Sequence, residues 1–232
     1  MSNTPVATAY THTFVRTSLG EGARRILEIG CGDGELAERL AADGFEVVAI
    51  DSDEACVAAA KARGVAARLA DWPADLGGDF DAVLFTRSLH HVHDLDGAVA
   101  AAGRALGPQG RIIVEDFRAE GGSARSSDWY RAMVEELSIG GMLTDDADAG
   151  ALIAKLPPAS HDGHELHSSQ MIAAALDRRF EVSAAGAAYY FRYLEPCLRD
   201  DGAAQWLLDV ELEQIGADAL DPLGQMFIAL QR

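Results

Sequence analysis

Short apolar runs alternate with segments of helical spacing through the first half of the chain. Ile26, Leu27 and Ile29 form the first run, interrupted only by Glu28, and Gly30, Gly32 and Gly34 follow at alternate positions. A strand that turns sharply and presents its backbone to a small ligand needs residues without Cβ, and glycine also accepts φ > 0. Residues 35–42 pair Leu36 with Leu40 and Ala37 with Ala41, which predicts a helix stopping at Gly44. This is a nucleotide-type βα turn. Residues 46–50 predict a second strand ending at Asp51, and a helix over 54–63 has Asp53 as its N-cap and Gly64 past its end. A third strand over 66–70 reaches Asp71-Trp72. A fourth over 80–85 leads into Thr86-Arg87-Ser88-Leu89-His90-His91-Val92. A helix over 95–106, the turn Gly107-Pro108-Gln109-Gly110 and a fifth strand over 111–116 complete this half.

Beyond residue 117 the pattern changes. About sixty residues, 118–179, precede the next strand, and a structureless loop of that length is uncommon inside a domain. Trp129, Met133 and Leu137 fall at i, i+4 and i+8, and Ala151-Leu152 pairs with Lys155-Leu156 before the stop at Pro157-Pro158. Gly121-Gly122 and Gly140-Gly141 read as joints. A helix over 169–178 precedes a sixth strand starting at Phe180, a partner strand over 188–193, a helix over 201–215 and a closing strand over 226–230. No internal repeat, low-complexity tract or linker is found, so the expectation is a single domain over 1–232.

The loop spacing narrows the ligand. The dinucleotide fingerprint G-x-G-x-x-G would place its third glycine at position 35, which is Glu. The run is instead acid-x-G-x-G-x-G, Glu28 to Gly34, with no basic residue to meet a diphosphate and with Glu28, Asp33 and Glu35 favouring a cationic or zwitterionic ligand. This stretch resembles motif I of the class I S-adenosylmethionine (SAM) dependent methyltransferases. "SLHHV" at residues 88–92 and "LGPQGRIIVE" at 106–115 resemble later motifs of the same family, so the resemblance covers residues 24–117 in order and at fitting intervals. It implies an α/β, Rossmann-like, seven-stranded and mostly parallel sheet with an antiparallel C-terminal strand. The helical insertion after strand five, residues 118–178, would then be an acceptor-side lid.

The resemblance also implies site residues. Glu28, Gly30 and Gly32 would wrap the methionine part of SAM, Asp51 with Ser52 would take the ribose hydroxyls, and Asp71 with Trp72 would take the adenine. Thr86 joins them at the end of strand four. Near the acceptor the implied residues are His90, whose matching position faces the active site in relatives, and Glu115 at the end of strand five, which can hold that ring or bind the acceptor. Each has a plainer reading as a strand-end acid, a cap or a structural histidine.

Composition changes this picture little. A net charge of −18 without a local Lys/Arg cluster repels phosphate backbones, which excludes nucleic acid as a substrate. No apolar run approaches the ~20 residues that cross a bilayer. Residues 1–13 lack a basic start and an apolar core, so a cytoplasmic location is expected. Cys31, Cys56 and Cys197 are isolated, without the spacing of a zinc site or a disulfide framework. His161, His164 and His167 recur every third residue. On a helix the third is turned ~240° from the first, and on a strand His164 opposes the other two, so no metal is expected; an imidazole offered to a substrate from a loop and an exposed histidine without a role both remain open.

Methyl transfer from SAM needs alignment above all, and a general base only for a protonated, weakly acidic acceptor. The expected function is methyl transfer from SAM, leaving S-adenosylhomocysteine (SAH), to a small-molecule acceptor at oxygen or nitrogen, with oxygen favoured. Trp129, Tyr130, Met133 and Met142 would wall an apolar acceptor pocket. The alternatives are a SAM-binding enzyme of the same fold with non-methyl chemistry, and a non-catalytic scaffold. The sequence leaves monomer and homodimer equally open.

Overall fold

The computed structural model describes residues 5–118, 121–155 and 166–232. A helix the sequence did not announce comes first, α1 (Val6–Ser18), followed by β1 (Arg25–Ile29), α2 (Glu35–Ala42), β2 (Glu46–Asp51), α3 (Glu54–Ala62), β3 (Ala67–Leu69) and β4 (Phe80–Thr86). A 3-10 turn at Leu89–His91 leads to α4 (Leu95–Ala105) and β5 (Leu106–Phe117). The remainder is α5 (Ala124–Ile139), α6 (Ala149–Ala154), α7 (Ser169–Asp177), β6 (Phe180–Ala187), α8 (Tyr190–Leu194), α9 (Asp201–Gly216) and β7 (Gly224–Gln231).

The strands form one sheet in the order β3-β2-β1-β4-β5-β7-β6. β1 pairs in parallel with β2 and β4, β2 with β3, and β4 with β5, and the C-terminal strands are antiparallel. Side chains alternate across each strand, and the two faces bury separate cores. Leu27, Ile29, Val83 and Phe85 pack with Val99 and Ala102 of α4 and Ile172 and Leu176 of α7. Ile26, Ala49, Leu84 and Ile113 pack with Val15 of α1, Leu36 and Leu40 of α2, and Val57 of α3. Asp53 caps α3 as expected, accepting from Ala55 N–H at 2.7 Å. The strand order reverses at β1, between β2 and β4, the place where open α/β sheets bind ligands.

The described residues group into two units. The larger holds residues 10–116, 166–185 and 226–232, and the smaller holds those of 1–9, 117–165 and 186–225. This division does not follow the expected 118–178 bounds, since α7 groups with the sheet. The smaller unit is mainly helical and centred on aromatic rings, with Tyr130 and Tyr190 buried and their centroids 5.8 Å apart. Residues 188–193, expected as a strand from their aromatic content, instead lead into and form most of α8. The Glu211 carboxylate of α9 accepts the backbone N–H groups of Tyr189, Tyr190 and Phe191 at 2.6, 2.9 and 2.9 Å, fixing a helical first turn. Tertiary contact overrides β-propensity there.

Candidate functional site

A cavity of about 520 Å3 opens beside the carboxyl ends of β1, β2 and β4, within the larger unit. Gly30, Gly32, Asp51, Ser52, Asp71 and Trp72, six of the residues singled out from the sequence, line it together. The glycines there answer to geometry. Gly30 has φ +74°, and a Cβ on it would lie 2.5 Å from that of Ser88, whose hydroxyl donates to Ile29 O at 2.6 Å. Gly32 has φ +55° and open space where its Cβ would stand. Gly34 serves packing instead, since its Cβ would meet Ala60 of α3 at 2.6 Å.

Asp51 fastens the loop. Its Oδ2 accepts from Gly32 N–H at 2.8 Å and its Oδ1 from Asp53 N–H at 2.9 Å. Each carboxylate oxygen has two acceptor positions, so capacity is left for ligand hydroxyls. The Trp72 indole donates to Ala98 O at 3.1 Å and meets Phe85 edge-on, which fixes its plane at the cavity wall.

Glu28 and Thr86 lie behind this wall. Glu28 is 1% exposed, and its Oε2 has no hydrogen-bond partner among the described residues. Burial pushes its carboxyl up to about 8, against the opposing pull of Arg87 and a hydrogen bond from Thr86; Asp51 and Asp33 add to the rise. Thr86 is likewise buried.

Glu115 and Asp116 are consecutive on β5 and so face opposite sides of the sheet. The Glu115 carboxylate, 0% exposed, accepts from the Thr11 hydroxyl of α1 at 2.6 Å and from Arg87 Nη1 at 3.3 Å. It is Asp116 that meets the His90 ring, Oδ1 to Nδ1 at 2.6 Å, while its Oδ2 takes the His90 backbone N–H at 3.3 Å. His90 is 2% exposed, and His91 lines the cavity with its ring centroid 4.0 Å from that of His90. Residues 89–91 form a 3-10 turn, and the ring it brings to the cavity is that of His91, whereas the resemblance had pointed to His90.

Arg87, Ser88, His91 and His93 also line the cavity and were not singled out as ligands. Their signal was position alone, directly after a strand whose carboxyl end borders the switch point. Arg87 carries a further mark that only the backbone reveals, a left-handed φ of 62° at a non-glycine residue. His167 braces this segment, its backbone N–H donating to His90 O at 3.1 Å and its Nε2 lying 2.7 Å from Val92 O. His161 and His164 lie outside the described residues. Among the described residues no group of three His, Cys, Asp or Glu side chains is arranged to hold a metal ion, and no helix is long and apolar enough to cross a membrane.

The methyltransferase domain family matches residues 6–146. The ubiquinone biosynthesis O-methyltransferase of Mesorhizobium japonicum is 33% identical over 126 residues, covering 47% of this chain and 51% of that protein. The chain thus spans about half the length of the curated relatives it matches. A Thermotoga maritima structure, described as a SAM-dependent methyltransferase and possible histamine N-methyltransferase, superposes with a TM-score of 0.59 at 15% identity over 97% of this chain and 89% of that one. The plantazolicin methyltransferase BpumL, solved with SAH, superposes at 0.53 with 15% identity over 97% and 82%. At these identities the two structures show a common fold.

Proposed function

This chain belongs to the methyltransferase domain family, among the class I SAM-dependent enzymes, and on that premise we propose that it methylates a hydroxyl of a small molecule. One observation carries the reading: the glycine loop, Asp51 and Asp71-Trp72 border a single cavity at the strand-order reversal. SAM suits the residues present. The Cβ-free Gly30 and Gly32 would admit the methionine part, Asp51 and Ser52 would receive the ribose hydroxyls, and Asp71 and Trp72 would receive the adenine. Glu28 and Thr86 support the loop from behind. When bound, SAM supplies a methyl group on a sulfonium that is already a leaving group.

The remaining chemistry falls to the chain's own side chains. A phenol, ionising near ~10 as tyrosine does, stays protonated at neutral pH and needs a base. We assign that role to the His90–His91 pair, in which the His91 ring lines the cavity and the His90 ring lies 4.0 Å behind it. Asp116 lies 2.6 Å from the Nδ1 of His90 and accepts its backbone N–H, so this acid positions the His90 ring and favours Nε2 as the proton-accepting atom. Glu115 acts one step back, positioning Arg87 at the cavity edge. The O-methyltransferase named among the relatives supports a hydroxyl over an amine. Acceptor selection is assigned to residues 118–178, where amide exchange should slow more with a methylated product than with SAM alone.

The test is turnover with SAM and three probes on one ring: a catechol, a hydroxybenzoate and an aromatic amine. SAH should form with the hydroxyl probes and not the amine. His90→Gln should lower kcat by roughly 10²–10⁴ with SAM affinity unchanged, and Asp116→Asn should displace the pH–rate profile. Turnover of the amine alone, or a His90 variant within a few-fold of wild type, would refute the assignment.

A further inference from the structure

The charged groups of the cavity wall are segregated by strand. Asp51 ends β2 and Asp71 follows β3, whereas Arg87, His91 and His93 all follow β4. Arg87 is the one lysine or arginine among the described residues that line the cavity. Its backbone is left-handed at φ 62°, a conformation that costs a residue with a Cβ and that glycine adopts freely. Two sets of bonds hold it there. Its N–H donates to Glu115 O at 2.7 Å, and its Nη1 donates to the Thr11 hydroxyl at 3.2 Å and to Glu115 Oε2 at 3.3 Å. Strained residues held in this way gather at ligand clamps. Nε and Nη2 take no partner among the described residues, and the side chain is 36% exposed.

The tether sets both the place and the free edge of the guanidinium. Strands run in the order β1-β4-β5, and Glu115 pairs in register with Thr86. Parallel neighbours lie ~4.8 Å apart, so Nη1 is drawn toward a strand ~10 Å from β1, the strand that leads into Gly30 and Gly32. The cofactor proposed above lies over β1, β2 and β3. Arg87 thus stands on the side left for the acceptor. Nε and Nη2 form the side-on edge of the guanidinium, two N–H groups directed alike at the spacing of two carboxylate oxygens. One guanidinium also matches the single charge of a carboxylate better than the near-double charge of a phosphate.

We propose that Arg87 is a specificity-determining residue that binds a carboxylate carried by the acceptor, so that the substrate is a hydroxyl-bearing aromatic acid and not a neutral phenol. The inference rests on the hydroxyl methylation proposed above and adds the acceptor's second functional group. With its carboxylate on Arg87 and its hydroxyl at the His90–His91 pair, the acceptor is held at two points, which aligns the oxygen that takes the methyl group. Glu115 and Thr11 are positioning residues for the guanidinium. A chain of net charge −18 repels anions at long range, and a fixed cation at the cavity is what admits one here.

The experiment is calorimetric titration of the SAH-loaded protein at neutral pH with two probes. One is 3,4-dihydroxybenzoate; the other is 3,4-dihydroxybenzamide, which keeps the ring and hydroxyls and carries no charge. Wild type should bind the acid roughly 10–100-fold more tightly than the amide. Arg87→Gln should bring the acid to the amide's Kd, and Arg87→Lys, which keeps the charge and loses the fork, should fall between. SAH should bind all three proteins within about threefold, and in turnover with SAM the acid's advantage should appear in KM. Equal Kd for acid and amide in the wild type, a comparison that needs no variant, would overturn the proposal, as would absence of saturable binding by the acid. So would an advantage that survives in Arg87→Gln. A roughly tenfold or larger loss of SAH affinity in Arg87→Gln would also overturn it, by giving the guanidinium to the cofactor's own carboxylate. Preferred binding of the acid without methylation of either probe would refute hydroxyl methylation and support carboxylate recognition by Arg87.

Discussion

Glu211 in the smaller unit and Glu28 in the larger are both sealed from solvent, yet their oxygens are occupied very differently. The Glu211 carboxylate is surrounded by three backbone donors, and its carboxyl rises to about 7 only because burial outweighs those bonds. Among the described residues Glu28 has one hydroxyl donor and no partner for Oε2, and its carboxyl rises to about 8. An acid whose bonds are all supplied by its own chain organises that chain, here the first turn of α8. One left short of partners organises nothing comparable and stays a costly charge to form. Burial alone would not have separated them; the count of partners does.

The strongest challenge to this contrast is Glu211→Ala. Stranding three buried N–H groups should cost about 3–5 kcal/mol of stability in urea unfolding, and a loss below about 1 kcal/mol would remove the structural half of the comparison. Gly34→Ala comes next, because the larger unit also contains strictly architectural positions. A Cβ there would lie 2.9 Å from Ala60 Cα at φ +80°, and about 2–3 kcal/mol should be lost. Asp51→Ala sharpens the ligand side. It should weaken SAH binding in calorimetry by about 1–3 kcal/mol through hydrogen bonds to a charged acceptor, with no change in Kd counting against the ribose assignment.

The smallest expected effect is the most specific. Below the ordinary value of 4.5 both folded and unfolded chains carry these protons. As pH rises the unfolded chain loses them first, so stability falls until the folded group ionises in turn. That decline closes near 7 for Glu211 and near 8 for Glu28. Between pH 7 and 8 the wild type should therefore lose about 1 kcal/mol more than Glu28→Gln. Identical slopes would show that Glu28 is already ionised in the folded protein.

Periodicity made β1, β2, β4 and the helices between them legible, because a buried parallel strand ending in Gly or Asp leaves a strong local pattern. Gly30, Gly32 and Asp51 stand at the ends of such strands, whereas Asp71-Trp72 follow the short and mostly exposed β3 and were singled out through the family resemblance. Less visible was α1, where only Val6, Thr11, Val15 and Ser18 are buried and threonines blur the apolar stripe. β5 begins at Leu106 and not at Arg111, because an irregularity opposite Phe80 and Ala82 absorbs the Gly-Pro-Gln-Gly run that reads as a turn. The partners of His90 and Arg87 depend on which face each β5 acid takes and on a 3-10 turn, and neither leaves a mark in local composition.

The two hydrogen bonds of Asp51 carry a kinetic meaning. One side chain ties the amide of Gly32, 19 residues upstream, to the turn that opens α3, so the loop has its shape before any ligand arrives. A preorganised mouth has little ordering entropy left to lose on association. Its on-rate should follow diffusion and local charge, and the lifetime of the complex should be set by the strength of the contacts themselves.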